Sequence, residues 1–368
     1  MKLLRNFTLF FFVVLFVQDA TAQDPRYSQY YAAPLRVNPA LTGVFDGTWR
    51  VGANYRTQWG SVLGKAYNTF AFTGDLKVPV FKSDFIGIGF SAMSDVSGES
   101  AYNTTELSLG INYQKKLSGR RSYRRGGMES YLTAGVQVGF GQRSVKWKNL
   151  TYSTQYVQGD NTYNQSIYSG ENPNVRATRL YPDFNAGLMW YGIMGNRKNV
   201  YAGLGMYHLT RPDISLFNRP PVDSNGMSFG TPVEKLYSRW TVHAGGEFLI
   251  GGNSSPISLL PGLVAMFQGP SMEINFGLSM KYQGFRNDDF AFKLGIWSRL
   301  ANKLDSGIDA DALIFLVGID YLGFQFGVSY DVNISSLSPQ TNGRGSLELS
   351  VMYTGSGPQS REQGCPSF

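Results

Sequence analysis

The residues of this chain whose chemistry could make or break bonds are few: two histidines, one cysteine and isolated acidic pairs. His243 would share a strand face with Glu247, four residues on, and His208 sits in the string Tyr207-His208-Leu209-Thr210-Arg211-Pro212. A membrane phospholipase needs a serine nucleophile with a histidine base and an orienting polar group, and no GxSxG elbow is present to carry one. Metal chemistry would call for a His/Cys cluster or an EF-type acidic loop. The chain has neither, and Asp288-Asp289 and Asp309/Asp311 read as solvated strand ends. Gly87-Ile88-Gly89 and Gly203-Leu204-Gly205 lie inside strand patterns and open no helix, so they are not phosphate loops. Cys365 has no second cysteine to pair with. The sequence points to a protein that binds rather than catalyses, with no metal and no cofactor.

Binding has better candidates. The stretch from Lys115 to Arg125 holds Lys115, Lys116, Arg120, Arg121, Arg124 and Arg125, which suits an acidic protein or the cell-wall layer, although a solvated turn would carry the same charges. Residues 142–182 contain Trp147, Tyr152, Tyr156, Tyr163 and Tyr168, and 209–235 begins beside His208 with Arg211. Aromatic residues and arginine are enriched at binding surfaces, so these two stretches are the candidate partner loops.

The elements that must position these residues follow from the export signal and the hydrophobic period. Lys2 and Arg5 precede the apolar run Leu9–Val17, and Ala20-Thr21-Ala22 supplies small residues for cleavage, so 1–22 reads as a signal peptide. Without Lys2, Arg5 and Asp19 the formal charge of +7 falls by two cations and one anion to +6. In an exported chain that excess is directed at lipopolysaccharide, peptidoglycan or an acidic protein rather than nucleic acid. No later segment has the ~18 apolar residues of a membrane helix. Abundant glycine and aromatic residues with one cysteine favour an all-β outer-membrane barrel in contact with outer-membrane lipid.

Period-two alternation is clearest at 272–282, where Met272, Ile274, Phe276, Leu278, Met280 and Tyr282 oppose Glu273, Asn275, Gly277, Ser279 and Lys281. Similar runs at 49–59, 66–76, 85–96, 101–114, 129–141, 183–194, 199–208, 236–250, 257–268, 290–299, 309–319, 320–331 and 345–354 give about fourteen antiparallel strands. The barrel is thus expected over 49–354. With both termini in the periplasm, odd-numbered connections are extracellular and should be the longer ones. The stretches 142–182, 209–235 and 332–344 obey this rule, and the long basic connection 115–128 breaks it. Lys293 and Arg299 oppose Phe290, Phe292, Leu294 and Ile296, giving a polar lumen. Strand 309–319 is apolar on both faces through Ala312–Val317, which means either a packed interior against it or a wrong register.

Two segments flank the barrel. The N-terminal segment 23–48 carries Pro25, Pro34 and Pro39, which argue against a strand, together with Tyr27, Tyr30 and Tyr31, which suit packing in the lumen or against the periplasmic rim. Turning Trp49, Val51, Ala53, Tyr55 and Trp59 toward lipid sends Arg50, Asn54, Arg56 and Gln58 inward. Arg56 and Gln58 are therefore expected to hold residues 27–40, among them Tyr27, Ser28, Gln29, Tyr30, Asn38 and Pro39, as an internal plug, with Trp59 in an aromatic girdle. A polar tail, 355–368, is expected in the periplasm.

The strings Gln23–Tyr31, Pro34-Leu35, Asn38-Pro39-Ala40 and Tyr55-Arg56-Thr57-Gln58-Trp59 are together similar to the start of mature PorP/SprF-family proteins, outer-membrane components associated with type IX secretion and gliding motility in Bacteroidetes. Tyr207-His208-Leu209-Thr210-Arg211-Pro212 and the ending Cys365-Pro366-Ser367-Phe368 resemble the family further along, with Ser367 where the family often has arginine. The resemblance implies a barrel of the bacterial outer membrane that assists export or surface anchoring of a sorting-domain substrate, often a large adhesin, with periplasmic secretion components as further partners. A channel for hydrophobic solutes and an envelope-tethering structural barrel are the competing classes.

Overall fold

The computed structural model describes residues 24–60, 64–81, 83–118, 127–146, 150–169, 178–195, 197–216, 234–252, 255–284, 290–302 and 307–355. Their alternating runs close into one antiparallel barrel. The first seven strands are β1 (Trp49–Gln58), β2 (Tyr67–Val80), β3 (Asp84–Ser97), β4 (Tyr102–Ser118), β5 (Glu129–Ser144), β6 (Thr178–Gly195) and β7 (Lys198–Tyr207). The second seven are β8 (Arg239–Leu249), β9 (Ile257–Gln268), β10 (Ser271–Gln283), β11 (Phe290–Asn302), β12 (Ile308–Tyr321), β13 (Phe324–Asn333) and β14 (Arg344–Gly355). Each pairs with its sequence neighbour, and β1 closes on β14 from Trp49 opposite Gly355 to Gln58 opposite Ser346. Among the described residues no helix is long and apolar enough to cross a membrane.

Side-chain period explains the two surfaces. On β4, Leu107, Leu109 and Ile111 point out and are exposed, while Glu106, Asn112 and Gln114 point in and are buried. The outside is a lipid-facing apolar belt and the inside is polar, as a transmembrane barrel requires. The connections 145–177 and 208–238 leave one end of the barrel, and tight turns such as Leu322-Gly323 close the other. Leu322 and Gly323 have φ of 49° and 83°, the left-handed pair that a two-residue hairpin needs.

Several boundaries differ from the sequence reading: β2 runs on to Val80 and β6 starts at Thr178 rather than 183. β4 continues to Ser118, pairing Lys115 with Leu132 and Lys116 with Tyr131, so both lysines are strand residues rather than turn residues. The break expected at 319/320 falls instead at the Leu322-Gly323 turn.

Fourteen strands enclose a lumen too wide for their own side chains to fill. The segment before β1 fills it. Tyr30–Ala32 and Pro39–Leu41 form 3-10 turns around a single helical turn, Pro34–Val37. Pro34 and Pro39 each open such a turn, where the missing N–H costs nothing. Asn38 caps the second 3-10 turn by accepting from the Ala40 N–H at 2.9 Å. Tyr30, Val37, Ala40, Leu41 and Val44 pack with Tyr131, Met189, Tyr191, Tyr201, Val264, Trp297, Ala312 and Ile314 into one apolar core inside the barrel. That core accounts for the two-sided apolarity of β12: Ala312 and Ile314 cover the plug, and the register is sound. The plug descends the lumen. Asp24 meets the long-loop ends of β8 and β9, and Phe45 and Thr48 meet the short-turn ends of β2 and β14.

Candidate functional site

The lumen wall reads the plug's backbone almost residue by residue. Gln137 and Tyr207 donate to the Leu35 carbonyl at 3.1 and 2.8 Å. Asn112 donates to the Ala40 and Thr42 carbonyls at 2.9 and 2.8 Å, and Thr133 donates to Ala40 at 3.0 Å. Gln114 donates to Gly43 at 2.9 Å, and Arg239 to the Arg36 carbonyl at 2.8 Å. A buried non-strand segment needs partners for its peptide groups, and inward polar residues supply them. Nearer the short turns, Asp75 takes the Gly43 N–H at 2.8 Å and pairs with Arg50 at 2.7 Å.

Ser28 is the centre of the densest cluster. Its hydroxyl donates to Asp331 (2.7 Å) and accepts from Arg56 (2.7 Å) and Arg299 (2.6 Å). Its N–H and that of Gln29 donate to the two oxygens of Glu348 at 2.7 and 3.0 Å. Arg56 bridges Asp331 and Glu348 at 3.1 and 3.3 Å, and Arg299 pairs with Asp331 at 2.9 Å. Two guanidinium groups thus face two carboxylates, all buried. Register shifts on β11 at Arg299/Leu300 and on β13 at Tyr330/Val332 flank Arg299 and Asp331, as bulges do when they aim a side chain.

A second cluster holds the top of the segment. Asp24 pairs with Arg239 at 2.7 Å and with His208 Nε2 at 2.8 Å, while His208 Nδ1 reaches Asp183 at 2.9 Å. Burial opposes a charge on His208, but the carboxylates of Asp24 and Asp183 override it and raise its pKa to about 10. Burial likewise opposes the Asp24 carboxylate, and His208 and Arg239 together hold its pKa well below 3.8. Arg26 adds an ion pair to Glu273 at 2.8 Å. The ligand atoms of Asp24, Glu106 and His208 come within 4.8 Å of one another. They do not form a metal centre: Arg239 and Arg36 take the carboxylates, and both imidazole nitrogens are spent on carboxylates.

The structure distributes the remaining candidates as follows. Tyr27, Tyr30 and Pro39 are buried in the plug, and Tyr30 packs edge-on against Trp297 at 5.4 Å. Asn38 donates to the Leu188 carbonyl at 3.0 Å and lies 2.9 Å from His243 Nε2, so His243 faces the plug. Gln58 accepts from Arg56 at 3.4 Å, and Trp59 packs edge-on against Tyr67 at 5.0 Å. His208 is not displayed on the loop: its Asp24 and Asp183 partners draw it inside, at 1 % exposure. Arg211 remains exposed, over the Tyr237 ring. In the 145–177 connection, Tyr156 and Tyr163 face each other at 5.3 Å on a short ribbon, Tyr168 is 75 % exposed, and Tyr152 is half-buried. Lys115 pairs with Asp84 at 2.8 Å and Lys116 with Glu129 at 3.3 Å. Trp147, Arg120, Arg121, Arg124 and Arg125 fall outside the described residues, as do 1–23 and 356–368.

Asp24, Arg36, Glu106, Arg239, Asp331 and Glu348 escaped the sequence reading. The inward position of Glu106, Arg239, Asp331 and Glu348 follows from alternation, but their pairing with the plug does not, and no period marks Asp24 and Arg36 within the plug.

The family description "Type IX secretion system membrane protein PorP/SprF" matches residues 20–353. No curated protein matches the chain. Among solved structures, CdiB from Acinetobacter baumannii is similar at 9% identity and a TM-score of 0.42, covering 83% of this chain and 60% of its own, so the chain spans about three fifths of that protein. The toluene transporter TbuX of Ralstonia pickettii is similar at 10% identity and a TM-score of 0.46, covering 88% of this chain and 92% of its own. The CymD monoaromatic hydrocarbon channel is similar at 10% identity and 0.48, covering 89% and 93%. These likenesses concern the barrel alone.

Proposed function

The chain belongs to the PorP/SprF family of type IX secretion system membrane proteins, and on that footing we propose that it acts in the outer membrane as a closed docking barrel. It assists export or surface anchoring of a sorting-domain substrate, such as a large adhesin, through protein contacts and not by conducting a solute. The observation that carries this reading is the plug, which is bonded to inward residues from β1 round to β14. The enclosed space beside Tyr30, Tyr31 and Trp297 is about 20 Å³, room for one water and too small for a hydrocarbon. The exposed ribbon bearing Tyr156 and Tyr163, with Tyr168 beside it and Arg211 on the next long connection, offers aromatic and cationic contact at the extracellular end. Periplasmic secretion components would meet the opposite rim, where the basic connection after Lys116 leaves the barrel.

Two measurements test the proposal. Affinity capture of the barrel from its native envelope should bring down a sorting-domain protein, and replacing Tyr156, Tyr163 and Tyr168 with alanine should abolish that capture in folded barrel. In planar bilayers the protein should be silent, and deletion of residues 24–45 should open it. Steady conductance or hydrocarbon flux by the intact protein would instead favour the transport class.

A further inference from the structure

The lipid-facing wall is not uniform. A hollow of about 470 Å³ is sunk into it across β3 to β8. Its floor lies where the outward side chains shrink to Ala134 on β5 and Ala186 on β6. Taller neighbours, Ile111, Tyr113, Leu188 and Trp240, form its sides. The plug accounts for the thinness of this patch. Gly135 and Gly187, paired across β5 and β6, turn inward, and a Cβ on either would run into Pro39 or into Asn38 Oδ1. The wall is drawn onto the plug from inside and leaves a depression outside.

Such a depression in hydrocarbon does not stay empty, because an unfilled apolar void forfeits dispersion contacts on one side. Its surroundings are continuous with the apolar belt, so a lipid chain is the occupant at hand. Charge then selects the leaflet. Ile111, Tyr113 and Lys115 follow one another on the outward face of β4, each step about 7 Å. Lys115 therefore stands just past the short-turn, periplasmic end of the hollow. Its side chain is 56% exposed, and it pairs with Asp84 at 2.8 Å, which also accepts from Tyr113 at 2.5 Å. An ammonium has three donors, and two remain after Asp84.

We propose that this hollow is a phospholipid site of the periplasmic leaflet. One acyl chain lies over Ala134 and Ala186, and the phosphate is held by Lys115. Lipid A, whose phosphates lie at the opposite face, cannot place them on Lys115.

Native mass spectrometry of the barrel, purified in mild detergent and washed, tests this. The intact protein retains a phospholipid adduct. Lys115→Gln weakens its retention about five-fold, the worth of one lysine at a lipid surface, and Ala186→Phe, which fills the floor, removes it. Heat-modifiable gel migration verifies that each variant is folded; Ala134→Val, a smaller intrusion, replaces Ala186→Phe if the latter does not fold. Equal retention by the folded variants, a lipid A adduct in place of phospholipid, or no lipid on the intact protein would overturn the site.

Discussion

Arg56→Ala probes the Ser28 cluster most directly. Arg56 is 2% exposed and touches Ser28, Asp331 and Glu348 within 3.3 Å. Its removal leaves Asp331 paired with Arg299, and leaves the Glu348 carboxylate, among the described residues, with only the Ser28 and Gln29 N–H groups and the Asn54 amide as partners. Breaking a buried ion pair by deleting one partner costs about 3–5 kcal/mol, chiefly from the charge left behind. With that loss falling on the seated plug, at about 1.4 kcal/mol per decade the population with residues 24–33 released rises between about 10²- and 4 × 10³-fold. The amides of Ser28 and Gln29, both bonded to Glu348, report that population by hydrogen exchange in detergent. Their exchange should accelerate by that factor, and residues 24–33 should become cleavable by added protease, while amides in β10 and β11 stay protected. Arg56→Lys, which keeps the charge but not the fork, should fall between. Unchanged exchange at Ser28 and Gln29 in a folded Arg56→Ala barrel would refute the view that this cluster holds the segment.

The Asp24–His208–Asp183 cluster gives the plug a pH dependence with a definite sign. His208, raised from 6.5 to about 10, contributes stability that is complete below pH 6.5 and disappears as pH climbs through 10. Asp24, held below 3.8, contributes stability that is present above that value and lost in stronger acid. Protease protection of residues 24–29 should therefore decline from pH 7 to pH 10, and His208→Gln should flatten the alkaline limb; an identical profile in the variant would count against the assignment. Gly187→Ala drives a methyl group onto Asn38 and should cost about 1–3 kcal/mol, read as a lower unfolding temperature. Gly159→Ala, with open space around it, should leave that temperature unchanged.

Most of the barrel was legible because alternation is local: each strand declares its two faces within ten residues, and fourteen such runs with the long connections on one side imply closure. The plug was only half legible. Its prolines and tyrosines excluded a strand and suggested burial, and the inward row of Arg50, Asn54 and Arg56 pointed to the lumen. The bonds themselves join residues up to 321 positions apart, as from Gln29 to Ser350, and no short-range pattern encodes such a pairing. His208 was misplaced for the same reason. Beside a loop it looked available, and only the arrival of Asp24 from the far end of the chain turns it inward. Lys115 and Lys116 read as turn residues because charge suggests solvent, whereas a strand emerging at the interface can carry lysines on either face.

The seam between β1 and β14 closes around a segment that belongs to the same chain and precedes β1 directly. From Asp24 the backbone runs toward the short-turn end of the barrel, reverses at Gly47 and Thr48, and climbs back as β1. A finished cylinder would have to be threaded by this segment through its short-turn opening. Receiving the segment while the edges of β1 and β14 are still apart would avoid that threading, and pairing Trp49 with Gly355 would then enclose it. In that order residues 24–48 would serve as an internal mandrel and β14 as the clasp.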